Sequence, residues 1–423
     1  MAFRARGTLE PVQVVLDGTA LEAAEGEPVA AALVAAGRLA IARSPKFHRP
    51  RGPSCMRGAC DGCLARVDGE PNVMTCMVPA RDGMKIDSQN TLGSRDLDLL
   101  RVTDWFFPQG INPHELFAGV FGVQHVMQAF ARRVAGLGQL PTSELAPRAA
   151  KRRRADVLVV GCGPSGMTVA AVLAENGRVV EIVDDAVRPG GGLRALGSLD
   201  RALWEKIDAG FEAGIGSGRV QARKSTVAGG VFGDDLLIVG PAGAEVVTAH
   251  DVVFATGAHD GVALFEGNDL PGVMSARAAG LLLAEGVVVG RRVGVAKGQS
   301  DSSVFGRAFA NASTGLCEVI QLSDFVGVRG SSKVRAVVVK EGGSEREIAA
   351  AALLTDEPRA PAYELCLQAG ARVEHEPRGF VVHTDDGRIR DHFWAVGEVV
   401  GTPFVAEAIL ADGERVARAI LGA

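Results

Sequence analysis

Residues 54–76 read SCMRGACDGCLARVDGEPNVMTC, and they decide how the first part of the chain must fold. They set Cys55, Cys60, Cys63 and Cys76 in a C-x4-C-x2-C-x12-C array. The first three keep the spacing that wraps a [2Fe–2S] cluster, and a fourth thiolate gives each iron two sulfur ligands. Gly58 and Gly62 take side chains out of a loop that must curl around an inorganic core with its amides aimed at sulfur. Structural zinc is the competing reading, but zinc ribbons carry two short C-x2-C pairs and here there is one. Four unrelated buried thiols are the third.

Upstream, VQVVLDG reads as a strand running into a turn at Asp17–Gly18, followed by a second extended piece. Pro28 then opens an Ala/Leu/Val-rich helix, PVAAALVAAG, stopped by Gly37. Strand, turn, strand, helix and cluster loop follow in the order of a β-grasp ferredoxin.

Downstream, the pattern changes at residue 156. DVLVV reads as a buried parallel strand and GCGPSG follows it, placing Gly161, Gly163, Pro164, Ser165 and Gly166 in a G-x-G-x-x-G turn. A helical MTVAAVLAENG and a second strand, VVEIVDD, complete the unit. The glycines allow a tight turn, close backbone approach to a pyrophosphate and helix-on-strand packing, with the helix N-terminus facing the phosphates. Asp184 lies 23 positions after Gly161, where a carboxylate accepts ribose hydroxyls, and Asp185 stands beside it. Alone the glycine pattern would be weak; between two strands, with an acid at the end of the second, it marks a dinucleotide site.

Several later signatures resemble those of two-dinucleotide flavoproteins. An acid followed by Gly190, Gly191, Gly192 and Leu193 looks like the motif lining their FAD site. Thr226–Val227 resembles the point where they touch adenine through backbone. Ala255, Thr256 and Gly257 give the ATG signature, and Gly397–Glu398 stands where most relatives have Gly-Asp. Glutamate keeps the charge but adds a methylene, so the geometry must shift. Residues 219–250 read as short strands with turns at Gly229–Gly230, Gly233–Asp234 and Pro241–Gly243.

The resemblance extends to a family. KFHRPRG before the cysteines, GEPNVMTC at their end, then WFFPQGI and ARRVAGLGQLP ahead of the dinucleotide unit, resemble the alpha subunit of heteromeric sarcosine oxidase, hydrogen cyanide synthase, and opine or hydroxyproline dehydrogenases. The likeness covers residues 11–423. It implies an α/β chain: an N-terminal β-grasp [2Fe–2S] domain, then a two-dinucleotide-binding-domain flavoprotein fold of the glutathione/thioredoxin reductase type. It implies FAD in the intact site, with NAD or ATP as alternatives found in other members, and in some an FMN between subunits. It also implies a beta-type partner carrying FAD and the amine-oxidising site. In sarcosine oxidase itself the cluster cysteines are missing; this sequence keeps all four. The folate domain of sarcosine oxidase and the cysteine-rich domain of some opine oxidases are not expected, nor is one-carbon transfer.

The expected division is 1–91 for the ferredoxin-like domain and 92–154 for an aromatic-rich helical connector. A FAD-type unit then takes 155–270 plus 385–423, with a second Rossmann-like unit, 271–384, inserted in it. In that insert the turn after GRRVGVAKG reads Ala296-Lys297-Gly298-Gln299-Ser300-Asp301. Two of the three glycines are gone, and an anionic side chain at a helix start repels pyrophosphate. NAD(P)H binding is not expected there, and the insert has no C-x2-C for a disulfide relay. In the connector, Phe106, Phe107, Phe117, Phe121 and Phe130 are either core or an apolar surface for a partner; His114 and His125 read as packed or surface residues.

With 45 basic and 50 acidic residues the net charge is −5, which steers the chain toward neither nucleic acid nor membrane. The basic run RAAKRRR reads as a solvated linker. MAFRARGTLE is no secretory leader, Glu285 interrupts the longest apolar stretch, and seven cysteines suit a reducing cytoplasm. Cys162, Cys317 and Cys366 are isolated and expected to be packed. No acid/base pair or nucleophile set suggests a substrate site. The expected function is therefore electron transfer: the alpha-type subunit of a heteromeric FAD-dependent amine or amino-acid dehydrogenase, with no catalytic residue of its own. Its rivals are a self-sufficient NAD(P)H-dependent ferredoxin-type reductase and a non-redox scaffold holding a structural nucleotide.

Overall fold

A helix with no polar face must be covered on all sides, and the first helix meets that demand. It spans Val29–Ala35, and Val29 to Val34 are all buried. One side packs on a five-stranded sheet of its own unit, the other on strand Val287–Val288 far along the chain. The computed structural model describes residues 2–45, 47–106, 149–197, 199, 201–296 and 304–422, with Gly122, Val123, His125 and Val126 between them.

The five-stranded sheet runs in the order Thr19–Ala24, Pro11–Leu16, Lys85–Asp87, Leu64–Val67, Glu70–Met74. Strands Pro11–Leu16 and Thr19–Ala24 form the hairpin expected at Asp17–Gly18, with Val14 opposite Leu21. The cluster loop leaves this sheet between the helix and Leu64–Val67. This is the β-grasp arrangement.

The second unit is doubly wound. Its parallel strands lie in the order Val220–Arg223, Val180–Val183, Lys151–Val160, Gly243–Phe254, Phe393–Ala395. Val157, Leu158, Val159, Val180, Ile182, Val252, Val253 and Phe254 are buried to 1% exposure or less, as strands covered on both faces require. The first strand starts at Lys151, inside the basic run read as a linker. Arg152 pairs with Asp235, and Arg153 with Glu181 and Glu245, so half of that run is sheet rather than solvated chain. The antiparallel strands Val227–Phe232 and Asp235–Gly240 extend this sheet as a meander. Gly229–Gly230, read as a turn, is instead a bulge within Val227–Phe232.

The inserted unit has its own parallel sheet, Val273–Ser275, Ala352–Thr355, Arg292–Ala296, Glu318–Leu322, with helices Ala276–Ala284 and Val304–Ala312. A three-stranded antiparallel sheet, Phe325–Gly330, Val334–Glu341, Ser344–Ala349, adjoins it.

The ferredoxin unit is bonded along its edge to the inserted unit and to the residues just ahead of it. Phe3–Arg4 pairs antiparallel with Val287–Val288, Arg51 pairs with Asp269, and Ser275 N donates to Ser54 O at 2.9 Å. One hydrophobic core runs from Val14 and Ile86 through Leu281 and Leu282 to Val157 and Leu173. His125 is exposed. The aromatic side chains of Phe106, Phe107, Phe117, Phe121 and Phe130, with His114, lie outside the described residues, as does the degenerate turn from Lys297 to Asp301.

Candidate functional site

The cluster loop is built as its glycines predict. Gly58 adopts φ +71°, and a Cβ on Gly62 would overlap the Gly52 carbonyl. Backbone amides reach the sulfurs: Arg57 N and Ala59 N donate to Cys55 Sγ at 3.4 and 3.3 Å, Ser54 and Gly62 amides to Cys60, and the Gly58 amide to Cys76. The four thiols fall into two pairs. Cys55 Sγ and Cys60 Sγ are 3.4 Å apart, and Cys63 bonds Cys76. Within each pair one thiol supports the other as thiolate. The hydrogen bond from Cys55 brings Cys60 down to about 5, that from Cys76 lowers Cys63, and the donors Cys55 and Cys76 are pushed up. Among the described residues, no three His, Cys, Asp or Glu side chains are arranged to hold a single metal ion. Two sulfur pairs with amides aimed at them fit a cluster with two ligands per iron better than one tetrahedral zinc.

Cys76, with Met56, Arg57, Ala59 and Met77 of the same unit, lines a cavity of about 300 Å³, within the range of cofactor sites. The opposite wall is the dinucleotide turn. Gly161, Gly163, Pro164, Ser165, Asp184, Asp185, Gly191, Gly192, Val227, Ala255, Thr256, Gly257 and Glu398 all face it. Gly161 has φ +106°, and a Cβ there would overlap the Ala255 carbonyl oxygen. A Cβ on Gly163 would meet nothing within 4 Å, because that position opens into the cavity. Helix Pro164–Glu175 starts at Gly163 with no side chain capping it, so its first amides are free for a ligand. These features fit a phosphate-bearing nucleotide.

Three site residues lie off the cavity wall. Gly166 closes the turn, since a Cβ would overlap Gly161 O and press on Ala255; Leu193 packs into the core; Gly397, at φ +86°, donates its amide to Asp412 at 2.8 Å. The two aspartates have different tasks. The Asp184 carboxylate accepts from Cys162 N at 2.6 Å and Ala186 N at 2.8 Å, so it braces the turn, and burial raises its pKa. Asp185 is exposed at the cavity's edge with its carboxyl pushed up to about 6, by desolvation first and then by Asp184. Of the two acids, Asp185 is the one whose carboxylate is not taken up by the Cys162 amide of the turn. Glu398 turns its longer side chain back to Arg359 Nε at 2.7 Å.

Sequence reasoning missed three arginines. Arg57 donates to Ala258 O at 2.7 Å. Arg277, 2% exposed, donates to the same oxygen at 2.8 Å and pairs with Asp260 at 2.7 Å. Burial, then Arg57, pulls its pKa down to about 10. Arg359 bridges Glu398 and the rings of Phe305 and Phe404. A lone Arg in the apolar helix ARAAGLLLA was the one available signal.

Comparison with known proteins agrees with this architecture. Residues 10–91 match the model of the 2Fe-2S iron-sulfur cluster binding domain. Sarcosine oxidase subunit alpha of Rhizobium meliloti is 27% identical over 397 residues, covering 81% of this chain and 39% of the relative. The chain is similar to that alpha subunit over four-fifths of its own length. Hydrogen cyanide synthase subunit HcnB of Pseudomonas aeruginosa is 33% identical over 144 residues, 31% of this chain and 30% of the relative. The chain thus spans under two-fifths of the length of these curated relatives. The crystal structure of L-proline dehydrogenase from P. horikoshii matches 99% of this chain and 75% of its own, at TM-score 0.73 and 22% identity, which establishes the shared fold. Among the described residues no helix is long and apolar enough to cross a membrane.

Proposed function

We propose that the chain is the electron-transfer, alpha-type subunit of a heteromeric FAD-dependent dehydrogenase or oxidase acting on the C–N bond of an amino acid or secondary amine. One observation carries the proposal: a single cavity has the cluster-loop residues Met56, Arg57, Ala59 and Cys76 on one wall and the dinucleotide turn on the other. FAD is the nucleotide assigned to this cavity, with NAD or ATP as alternatives. When both groups are bound, the flavin exchanges electrons in pairs and the cluster singly. The residues proposed to hold the nucleotide are those at the turn, Gly191–Gly192, Asp185, Val227, the 255–257 segment and Glu398, with Cys55, Cys60, Cys63 and Cys76 for the iron. Their work is positional: they hold the nucleotide against the cluster loop and exclude water between them.

The curated relatives are named as subunits, which supports a heteromeric assembly. The partner in this proposal is a beta-type chain that oxidises the amine, with an interfacial FMN as a further option. Leu97 (69% exposed), Leu99 (60%) and Trp105 (87%), at the head of the connector, suit such a contact. Seven free cysteines suit a reducing cytoplasm.

The test is to purify the chain alone and with its partner. About two iron and two acid-labile sulfide per chain are expected, lost in Cys76→Ala. Dye-linked oxidation of sarcosine, proline, hydroxyproline or opines is expected only with the partner. Brisk turnover by the chain alone sinks the subunit assignment, and absence of iron and flavin favours the scaffold reading.

A further inference from the structure

The cavity contains a guanidinium pair that the dinucleotide turn does not call for. Phosphates at such a turn are ordinarily held by main-chain amides and the helix start. Here Arg57, from the cluster loop, and Arg277, from the inserted unit, converge on one acceptor, Ala258 O, at 2.7 and 2.8 Å. Both line the cavity. Two cations on a single carbonyl oxygen repel each other, so the geometry persists only if anionic groups complete it.

Of the four arginines lining the cavity, three have an ion pair within the protein. Arg277 is matched by Asp260 at 2.7 Å, with Glu398 4.0 Å away. Glu398 is itself held by Arg359 at 2.7 Å, and Arg359 also lies 3.7 Å from Asp356. Arg188 and Arg194 share Glu285, at 3.0 and 2.6 Å. Arg57 has no carboxylate within ion-pair distance among the described residues. Asp184 and Asp185 on the opposite wall feel the Arg57 charge but are not ion-paired with it, and the Asp184 oxygens are already taken by two backbone amides. A second observation points the same way. The Arg277 Nε–H is buried in the cavity wall with no acceptor. A native protein seldom leaves such a donor unmatched; an ordered water or a ligand supplies the acceptor.

We propose that Arg57 and Arg277 form a two-guanidinium clamp for the phosphate groups of a nucleotide, supplied jointly by the cluster loop and the inserted unit. The inference rests on the nucleotide reading of the cavity and adds to it a contact from the iron–sulfur side. Arg57 contributes a guanidinium without a contact ion pair and Arg277 the second set of donors. Because the Arg57 amide donates to Cys55 Sγ, the residue that grips the phosphate is also part of the cluster's hydrogen-bond shell. Hydrogen bonds and charge near the sulfurs set a cluster's reduction potential, so nucleotide occupancy is registered there. Coupling of this kind is reciprocal: whatever the nucleotide does to the potential, reduction does to nucleotide affinity.

The experiment titrates the cluster-loaded full chain, freed of nucleotide, with ADP and separately with adenosine, following heat of binding. Iron and sulfide content is matched across wild type, Arg57→Gln, Arg57→Lys and Arg277→Lys. Arg57→Gln is expected to weaken ADP about tenfold or more, leaving adenosine unchanged, because charge-assisted bonds to phosphate are the strong ones. Arg57→Lys recovers part of the loss by keeping the charge without the fork. ADP is also expected to displace the cluster midpoint in wild type and to do so less in Arg57→Gln. Equal ADP affinity in wild type and Arg57→Gln overturns the clamp, as does an equal loss for ADP and adenosine. A wild-type chain that binds neither ligand overturns the nucleotide reading itself, and the clamp with it.

Discussion

Two helices in this molecule begin where a nucleotide-type turn hands over to a helix, and they treat their first amides in opposite ways. Helix Pro164–Glu175 leaves them uncapped, facing open space beside Gly163. In the first described turn of Val304–Ala312, the Phe305 and Gly306 amides are taken by the carboxylate of Asp356, 2.9 Å from Gly306 N. A helix start attracts an anion in either case. One unit leaves that place to a ligand; the other fills it with a buried acid of its own. The loss of nucleotide binding expected from the turn is thus accompanied by a change deeper in the unit, on strand-end residue Asp356.

Gly161→Ala gives the largest expected break in the comparison. The new Cβ would overlap the Ala255 carbonyl at φ +106°, costing at least about 2 kcal/mol and abolishing nucleotide retention. Chemical denaturation measures the first and bound-flavin absorbance the second; a stable variant with full flavin means the turn is not as described. Asp356→Ala removes the internal anion and strands two buried amides, a cost of roughly 1–3 kcal/mol. Stopped-flow mixing with NADH is expected to leave the flavin oxidised in wild type and variant alike. Rapid bleaching in wild type would revive the self-sufficient reductase. Bleaching only in Asp356→Ala would mean that the acid alone shuts the second site.

Gly163→Ala sharpens the contrast with Gly161, since its Cβ meets nothing but cavity. Stability is expected to stay within about 1 kcal/mol, while nucleotide affinity falls about tenfold by calorimetry. Unchanged affinity would place the ligand elsewhere. The smallest effect concerns Glu245, whose carboxyl is held below its ordinary 4.5, to about 2, by Arg223 and then Arg153. A depressed carboxyl adds stability that is complete above its unfolded value and is lost as pH falls through the folded one. Wild type should therefore lose stability relative to Glu245→Gln between about pH 5 and 2, by under about 1 kcal/mol because solvent screens the network. Parallel acid-unfolding curves for the two proteins would count against that network.

The fold was legible because both halves rest on patterns that admit few solutions. Four cysteines at that spacing and glycines at Gly58 and Gly62 leave a curling loop little choice. A buried strand running into Gly161-Cys162-Gly163 does the same for the doubly wound unit. What sequence could not resolve was which of two adjacent acids turns inward. Alternation along Val180–Val183 continues past the strand end, and only the packed turn reveals that the Cys162 amide claims Asp184. The basic run was misread for a related reason: its partners Asp235, Glu181 and Glu245 are brought alongside only by the sheet. Arg57 and Arg277 are 220 residues apart and meet through a domain contact that periodicity cannot encode.

The short strand Phe3–Arg4, laid against Val287–Val288, has a kinetic meaning. A carrier that diffuses to its reductase must first collide and orient, and its rate then depends on viscosity, salt and dilution. This ferredoxin unit is stitched to its neighbour by backbone pairing, by the ion pair from Arg51 to Asp269, and by shared core. Held this way, the unit keeps a set distance from the dinucleotide turn, indifferent to concentration and to the solvent outside.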